Sequence, residues 1–304
     1  MLHDKLRQQL VGILLPATTP FTINSDLDIE ALRLNISKWC GTAISGLVML
    51  GSTGERVHLD EREYQQIVET ARAEVSSDRA FIVGAGQQST LKTVEEIRVA
   101  GRSGADAVLV ITPYFYRSAI TQDTLINFYL TVADASTIPV MLYSMPALTG
   151  VKIEPETIAR LSDHPNIIGV KDSSNDMAGF KRTVELCPPD FAVMTGNGTV
   201  LLDALKNGAT GGILAVGCAA PEVCLEIFAS FRSGEIAQAE SLQEKLTPLA
   251  AAVTTRFGIG GLKAAMDLAG YQGGTVRTPL QSPKGEQRSE IAMLLEVFAQ
   301  KVPS

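Results

Sequence analysis

Eight short apolar runs constrain this chain more than any other feature. They occupy residues 12–15, 46–50, 80–83, 107–111, 139–143, 167–171, 191–194 and 212–216, about 20 to 35 residues apart, the period of a strand-plus-helix unit. Each run is apolar throughout instead of alternating with polar residues. That is how strands read when a parallel sheet is covered on both faces. The segments between them, 28–40, 61–75, 93–103, 122–135, 154–162, 178–186 and 200–207, carry apolar residues at three and four spacing, as helices packed on such a sheet do. Asp60 ahead of Glu61 and Glu63, and Pro155 at the head of its segment, are helix-start signals. Eight strand-helix repeats predict an α/β fold, a closed (β/α)8 TIM barrel in preference to an open sheet.

After the eighth run only helical spacing remains, over 222–233, 235–252, 261–269 and 289–302. A barrel needs one helix there. The surplus predicts a C-terminal helical appendage, with residues 1–225 forming the barrel that carries the active site and 226–304 a helical layer packed on it.

Composition excludes several classes. With 26 Lys and Arg against 33 Asp and Glu, a formal net charge of -7 and no basic run longer than Lys181-Arg182, the chain lacks the footprint of a nucleic-acid binder. The N-terminal residues mix charges, and no unbroken apolar segment of signal or membrane-span length follows. A cytoplasmic protein with no membrane partner is expected. Cys40, Cys187, Cys218 and Cys224 are irregularly spaced and His3, His58 and His164 scattered, so no metal is expected and the thiols read as reduced. Gly84-Ala85-Gly86 and Gly196-Asn197-Gly198 lack the third glycine of a dinucleotide fingerprint, and Gly258 to Lys263 lacks phosphate-loop spacing.

In a barrel of this kind chemistry sits just past the C-terminal ends of the strands. There the chain places Gly51-Ser52-Thr53-Gly54-Glu55 after the second run, Thr112 to Arg117 after the fourth, Tyr143 to Gly150 after the fifth, Lys171 to Ser174 after the sixth and Gly196 to Thr199 after the seventh. Lys171 is the sharpest signal, because every residue of the run before it is apolar or glycine. Burial there disfavours an ammonium and so favours the free amine that attacks a carbonyl. A strand-end lysine can also snorkel to solvent or pair with an acid. Tyr143 ends the neighbouring strand, where a phenol can shuttle protons or simply be a hydrogen-bonded core residue. Ser52 and Thr53, between glycines, can converge with backbone N–H groups on an anion, or bond locally within the turn. Glu55 and Asp172 read as structural acids that bond loop backbone. Lysine, phenol and anion turn at three strand ends together point to an imine-forming enzyme.

These residues resemble the dihydrodipicolinate synthase / N-acetylneuraminate lyase family of class I pyruvate-dependent aldolases. Gly51 to Glu55 is similar to its GxxGE motif, Tyr143 to Gly150 to its YxxPxxTG motif, and Gly169-Val170-Lys171 to its Schiff-base strand, over nearly the full chain. The resemblance implies that Lys171 forms an imine with a 2-oxo acid, that Tyr143 relays protons and that Ser52 and Thr53 hold the pyruvyl carboxylate. It further implies substrate contacts at Ser173, Gly196 and Ile213, no cofactor, and a homotetramer built as a dimer of dimers.

Three departures bear on the substrate. Dihydrodipicolinate synthases carry an arginine where this chain has Leu148, and a neighbour-subunit tyrosine where it has Phe115, so Tyr114 or Tyr116 would have to complete an interface proton relay. The acidic pair with which N-acetylneuraminate lyases bind sugar hydroxyls is Gly198-Thr199 here. The chain looks most like 4-hydroxy-2-oxoglutarate aldolases, through Lys171-Asp172-Ser173 and through Arg256 to Ile259, Gly261 to Lys263 and Gly270-Tyr271. The expectation is a lyase that splits 4-hydroxy-2-oxoglutarate into pyruvate and glyoxylate. The alternative is a 4-hydroxy-tetrahydrodipicolinate synthase joining pyruvate to aspartate semialdehyde, and a further one is a catalytically weak 2-oxo-acid-binding protein.

Overall fold

A computed structural model describes residues 3–299. Its strands are β1 (Gly12–Pro16), β2 (Gly46–Met49), β3 (Ala80–Ala85), β4 (Ala107–Ile111), β5 (Val140–Ser144), β6 (Ile167–Asp172), β7 (Ala192–Thr195) and β8 (Gly211–Ile213). Each pairs in parallel with the next, and β8 pairs with β1, closing a (β/α)8 TIM barrel. Strand ends match the apolar runs to within two residues, except at the last. There the run 212–216 was expected to be strand throughout, but the ladder stops at Ile213 and the chain turns into a short 3₁₀ segment, Ala215–Cys218.

Period-two alternation separates two apolar clusters. Leu14, Val48, Ala80, Ile82, Ala107, Leu109, Met141, Ala192, Met194 and Ile213 point inward and fill the barrel. Their neighbours Ile13, Leu15, Leu47, Met49, Phe81, Val83, Val108, Val110, Leu142 and Val193 point outward, under the helices. Because both sets are apolar, the strands show no alternation in sequence.

Several of the barrel helices begin where a side chain caps them. Asp60 accepts the Glu63 N–H while the Glu63 carboxylate accepts the Asp60 N–H, a reciprocal box at the start of helix Glu61–Glu74. Asp28, Ser89 and Thr121 cap the helices Ile29–Cys40, Thr90–Arg102 and Gln122–Ala135 in the same sense. The C-terminal helices are Pro221–Ser233, Ile236–Ala251, Gly258–Leu268 and Glu286–Ala299. Residues 300–302 of the last expected helix lie outside the described residues. Ile227, Leu246, Leu262 and Ile291 of these helices share one apolar cluster with the barrel's outer side chains.

Two elements escape sequence periodicity because they are shorter than two turns: the helix Asp4–Gln9 and the single turn Pro146–Thr149. The first sends Leu6 and Leu10 into the interior cluster, below the start of β1. Leu10 is fully buried. Leu10→Ala is expected to lower stability by about 2 to 5 kcal/mol, the usual range for emptying a leucine site. Denaturant titration of the variant beside the parent chain measures this.

Candidate active site

The C-terminal ends of the strands gather the polar groups. Lys171 is the fifth residue of β6, in register with Tyr143 of β5 and Met194 of β7. It is 5% exposed. Its face depends on a register irregularity: Val140 pairs with Ile167, yet the next residue, Met141, pairs with Gly169. The extra residue, Ile168, lies in the interior cluster while Val170 lies in the outer one, so the alternation changes phase across the bulge. Lys171 thereby joins the inward face on which Tyr143 already lies.

The Lys171 ammonium nitrogen stands 4.5 Å from the centroid of the Tyr143 ring. No carboxylate lies within ion-pair distance of it among the described residues. The Tyr143 hydroxyl, on a side chain 4% exposed, stands 3.4 Å from the Ser52 Oγ. Ser52 opens a tight turn, Ser52–Gly54, directly after β2. The turn is bracketed by two non-glycine residues in the left-handed region, Leu50 (φ 58°) and Glu55 (φ 54°). Such conformations cost on the order of 1 kcal/mol and persist only where surrounding contacts impose them. Here Thr19 donates its hydroxyl to the Gly54 carbonyl at 2.7 Å, and Glu55 is anchored from the far end of the chain. Thr53, in the same turn, is buried.

Ser173 and Gly196 complete one side. The Gly196 N–H donates to the Asp172 carbonyl at 2.6 Å, and the Ser173 N–H to the Ser144 carbonyl at 3.0 Å. A Cβ on Gly196 would overlap the Ser173 Oγ and come within 2.7 Å of the Lys171 Cε. Only glycine leaves both side chains where they are. Ile213, at the end of β8, lies fully buried in the interior cluster that also contains Tyr143.

Tyr114 and Tyr116 are not drawn into this group. Tyr114 is half-buried, with its N–H and that of Phe115 both donating to the Gln88 side-chain carbonyl. Phe115 and Tyr116 are 71% and 70% exposed and pack edge to face on each other. Within the chain, neither phenol hydrogen-bonds to Tyr143. Leu148 is 63% exposed on the rim, and the Arg117 guanidinium rests against nearby Gly150.

The two acids read as structural behave differently. Asp172 accepts the Ser174 N–H at 2.8 Å, and burial pushes its carboxyl above the usual range. Glu55 does more than bond loop backbone. Its Oε1 accepts the Lys263 ammonium at 2.5 Å, and its Oε2 accepts the Arg277 N–H at 3.0 Å and meets His58 Nδ1 at 3.1 Å. Both members of the Glu55–Lys263 pair are 1% exposed at their side chains. Lys263 closes the Gly258 to Lys263 stretch that lacks phosphate-loop spacing, and nothing in that spacing points to its role. It carries the same signal as Lys171, an isolated lysine in a run of apolar and glycine residues. Among the described residues no group of three or more His, Cys, Asp or Glu is placed to hold a metal ion.

The model of the dihydrodipicolinate synthetase family matches residues 9–298. A 4-hydroxy-tetrahydrodipicolinate synthase of Methanothrix thermoacetophila is 34% identical over 285 residues, covering 93% of this chain and 95% of its own length. Among solved structures, YagE, a prophage protein of the dihydrodipicolinic acid synthase family from E. coli K12 in complex with pyruvate, superposes with a TM-score of 0.89 at 30% identity, over 95% of this chain and 98% of its own. A monomeric dihydrodipicolinate synthase variant superposes with a TM-score of 0.91 at 30% identity, over 96% and 97%. The chain belongs to the dihydrodipicolinate synthetase family, whose members are pyruvate-dependent lyases and synthases.

Proposed function

We propose that the protein is a class I aldolase that holds pyruvate as an imine on Lys171. The observation that carries this reading is the inward, nearly buried Lys171 amine beside the Tyr143 phenol, itself within reach of the Ser52 hydroxyl. The Lys171 nitrogen attacks the C2 carbonyl of the 2-oxo acid, and the carbinolamine expels its oxygen as water once that oxygen is protonated. The resulting protonated imine withdraws electrons from C3. In the cleavage direction the C3–C4 bond breaks, the C4 hydroxyl loses its proton as the aldehyde forms, and the bonding pair is held as an enamine. Protonation at C3 and hydrolysis then release pyruvate and free Lys171. The Tyr143 phenol is placed to carry these protons, and Ser52, Thr53 and the N–H groups of their turn to hold the carboxylate. Condensation is the same sequence reversed, with the enamine adding to an aldehyde.

Two second substrates compete. The printed names of relatives such as the 34%-identical Methanothrix protein support condensation with aspartate semialdehyde, giving a 4-hydroxy-tetrahydrodipicolinate synthase. Leu148, apolar where a cation would hold the semialdehyde's carboxylate, counts against that condensation, and the competing reading is 4-hydroxy-2-oxoglutarate, cleaved to pyruvate and glyoxylate with Ser173 beside the C4 substituent. The comparisons favour the first, and Leu148 counts against it. Parallel assays of semialdehyde condensation and hydroxy-oxo-acid cleavage separate them, and pyruvate binding with neither reaction would mark a binding protein instead. The exposed Phe115 and Tyr116 rings are the surface on which we expect a second copy to pack in a homotetramer.

Borohydride added with pyruvate is expected to fix one pyruvyl group on Lys171, located by peptide mass mapping. An unlabelled Lys171 would remove the imine. Lys171→Ala is expected to abolish turnover, and Tyr143→Phe to slow it by about 10² to 10⁴-fold, the usual worth of acid–base assistance. Gly196→Ala, whose methyl would displace Lys171 and Ser173, is expected to cut the labelling rate by on the order of 10²-fold, as misplacement of a reacting group by about 1 Å does. A labelling rate equal to that of the parent chain would show that the site tolerates the methyl.

A further inference from the structure

Lys263 is a buried lysine that the imine chemistry does not use. It lies in the C-terminal helix Gly258–Leu268, and its three ammonium protons have three acceptors: the Glu55 Oε1 at 2.5 Å, the Thr19 carbonyl at 2.7 Å and the Thr275 carbonyl at 2.6 Å. An ammonium has three donors, so this one is fully satisfied. The three acceptors belong to segments far apart in sequence: the loop after β1, the turn after β2 and the strap that follows the helix. Glu55 is equally committed. It leaves the Ser52–Gly54 turn in a left-handed conformation, and its second oxygen takes the Arg277 N–H from the same strap.

We propose that Lys263 is a positioning residue for the anion turn: by holding the Glu55 carboxylate and the Thr19 carbonyl together, it fixes the angle at which Ser52 and Thr53 meet the carboxylate of the 2-oxo acid. Thr19 is the connecting link, since its backbone carbonyl accepts from Lys263 while its hydroxyl donates to the Gly54 carbonyl of the turn. The C-terminal helical layer therefore takes part in substrate binding without touching substrate. The ammonium also lies 4.5 Å from the centroid of the Phe21 ring, a cation–π contact. Burial lowers the affinity of Lys263 for its proton while Glu55 raises it, so the clamp holds as long as both partners are charged.

The inference rests on the reading that this turn binds the pyruvyl carboxylate, and two readouts keep the two ideas apart. Calorimetry measures pyruvate affinity whether or not an imine forms, and borohydride labelling measures the imine. For Lys263→Met and Glu55→Gln the expected result is pyruvate binding weakened on the order of tenfold or more. The labelling rate at saturating pyruvate should stay within about threefold of the parent, the pattern of lost ground-state binding. Thr19→Val leaves the ion pair in place and removes only the hydroxyl that holds Gly54. It is expected to weaken pyruvate several-fold in the same pattern. Circular dichroism reports which variants fold. A folded Lys263→Met with parental pyruvate affinity overturns the proposal, and if that variant does not fold, an unchanged affinity in Thr19→Val overturns it. Calorimetric binding with no labelling of the parent chain counts against the imine and leaves the positioning test intact.

Discussion

A one-residue slip of β6 against β5 decides which way Lys171 faces. In a parallel ladder every side chain changes side at each residue, so without the bulge Ile168 and Val170 would share a face and Lys171 would point out under the helices. There it would meet the apolar layer formed by Leu142 and Val193, with no polar group to receive it. With the bulge, Val140 stays opposite Ile167 while Tyr143 comes opposite Lys171. Gly169 belongs to the same device. A Cβ there would strike the Ala192 carbonyl at 2.6 Å, so the neighbouring strand could not close against β6. Barrel closure and the placement of the amine are thus one constraint.

The second constraint is the buried ion pair beneath the anion turn. Taking an ammonium and a carboxylate out of water costs several kcal/mol per ion, recovered only when geometry is good and the remaining hydrogen-bonding capacity is filled. Glu55 and Lys263 meet that condition through Thr19, Thr275, Arg277 and His58. Replacing a buried ion pair with apolar residues of similar volume is often neutral for stability, but an apolar pair would not hold position 55 left-handed or tie the turn to two loops at once. The pair is better explained by the geometry it imposes than by stability it adds.

Much of this was legible in sequence, for a physical reason. A barrel strand is covered on both sides, and eight two-sided apolar runs separated by helical spacing admit few other folds. Lys171 and Tyr143 stand out because they end neighbouring apolar runs on the side of a barrel where chemistry sits, beside the Ser52-Thr53 turn. The rest was hidden where the signal is tertiary. The phase change at Ile168 leaves no trace in composition, since apolar residues flank it on either face. Helix Asp4–Gln9 is too short for periodicity, so its role as the interior plug appears only once Leu6 and Leu10 are seen inside. Lys263 was readable by the rule that found Lys171. It lies on a helix outside the strands and reaches the Glu55 carboxylate from there, so no strand-end pattern marks it. The choice of second substrate is the least legible part, because it rests on rim residues such as Leu148 and Phe115, whose exposure leaves them free to vary without cost to the fold.

The distribution of charge sharpens what the turn must do. An anionic 2-oxo acid approaching a chain of formal net charge -7 gains nothing from the overall field. Below the mouth the barrel is filled with leucine, isoleucine, valine, alanine and methionine, so no donor can come from that side. Among the described residues Lys171 lacks a carboxylate partner. In the function proposed above, carboxylate capture falls to uncharged donors at the mouth, the hydroxyls of Ser52 and Thr53 and the N–H groups of their turn. Such donors work only when held at fixed angles, because each is weak and none can be steered by charge. That is why a turn of three residues is anchored by an ion pair reaching from the far end of the chain.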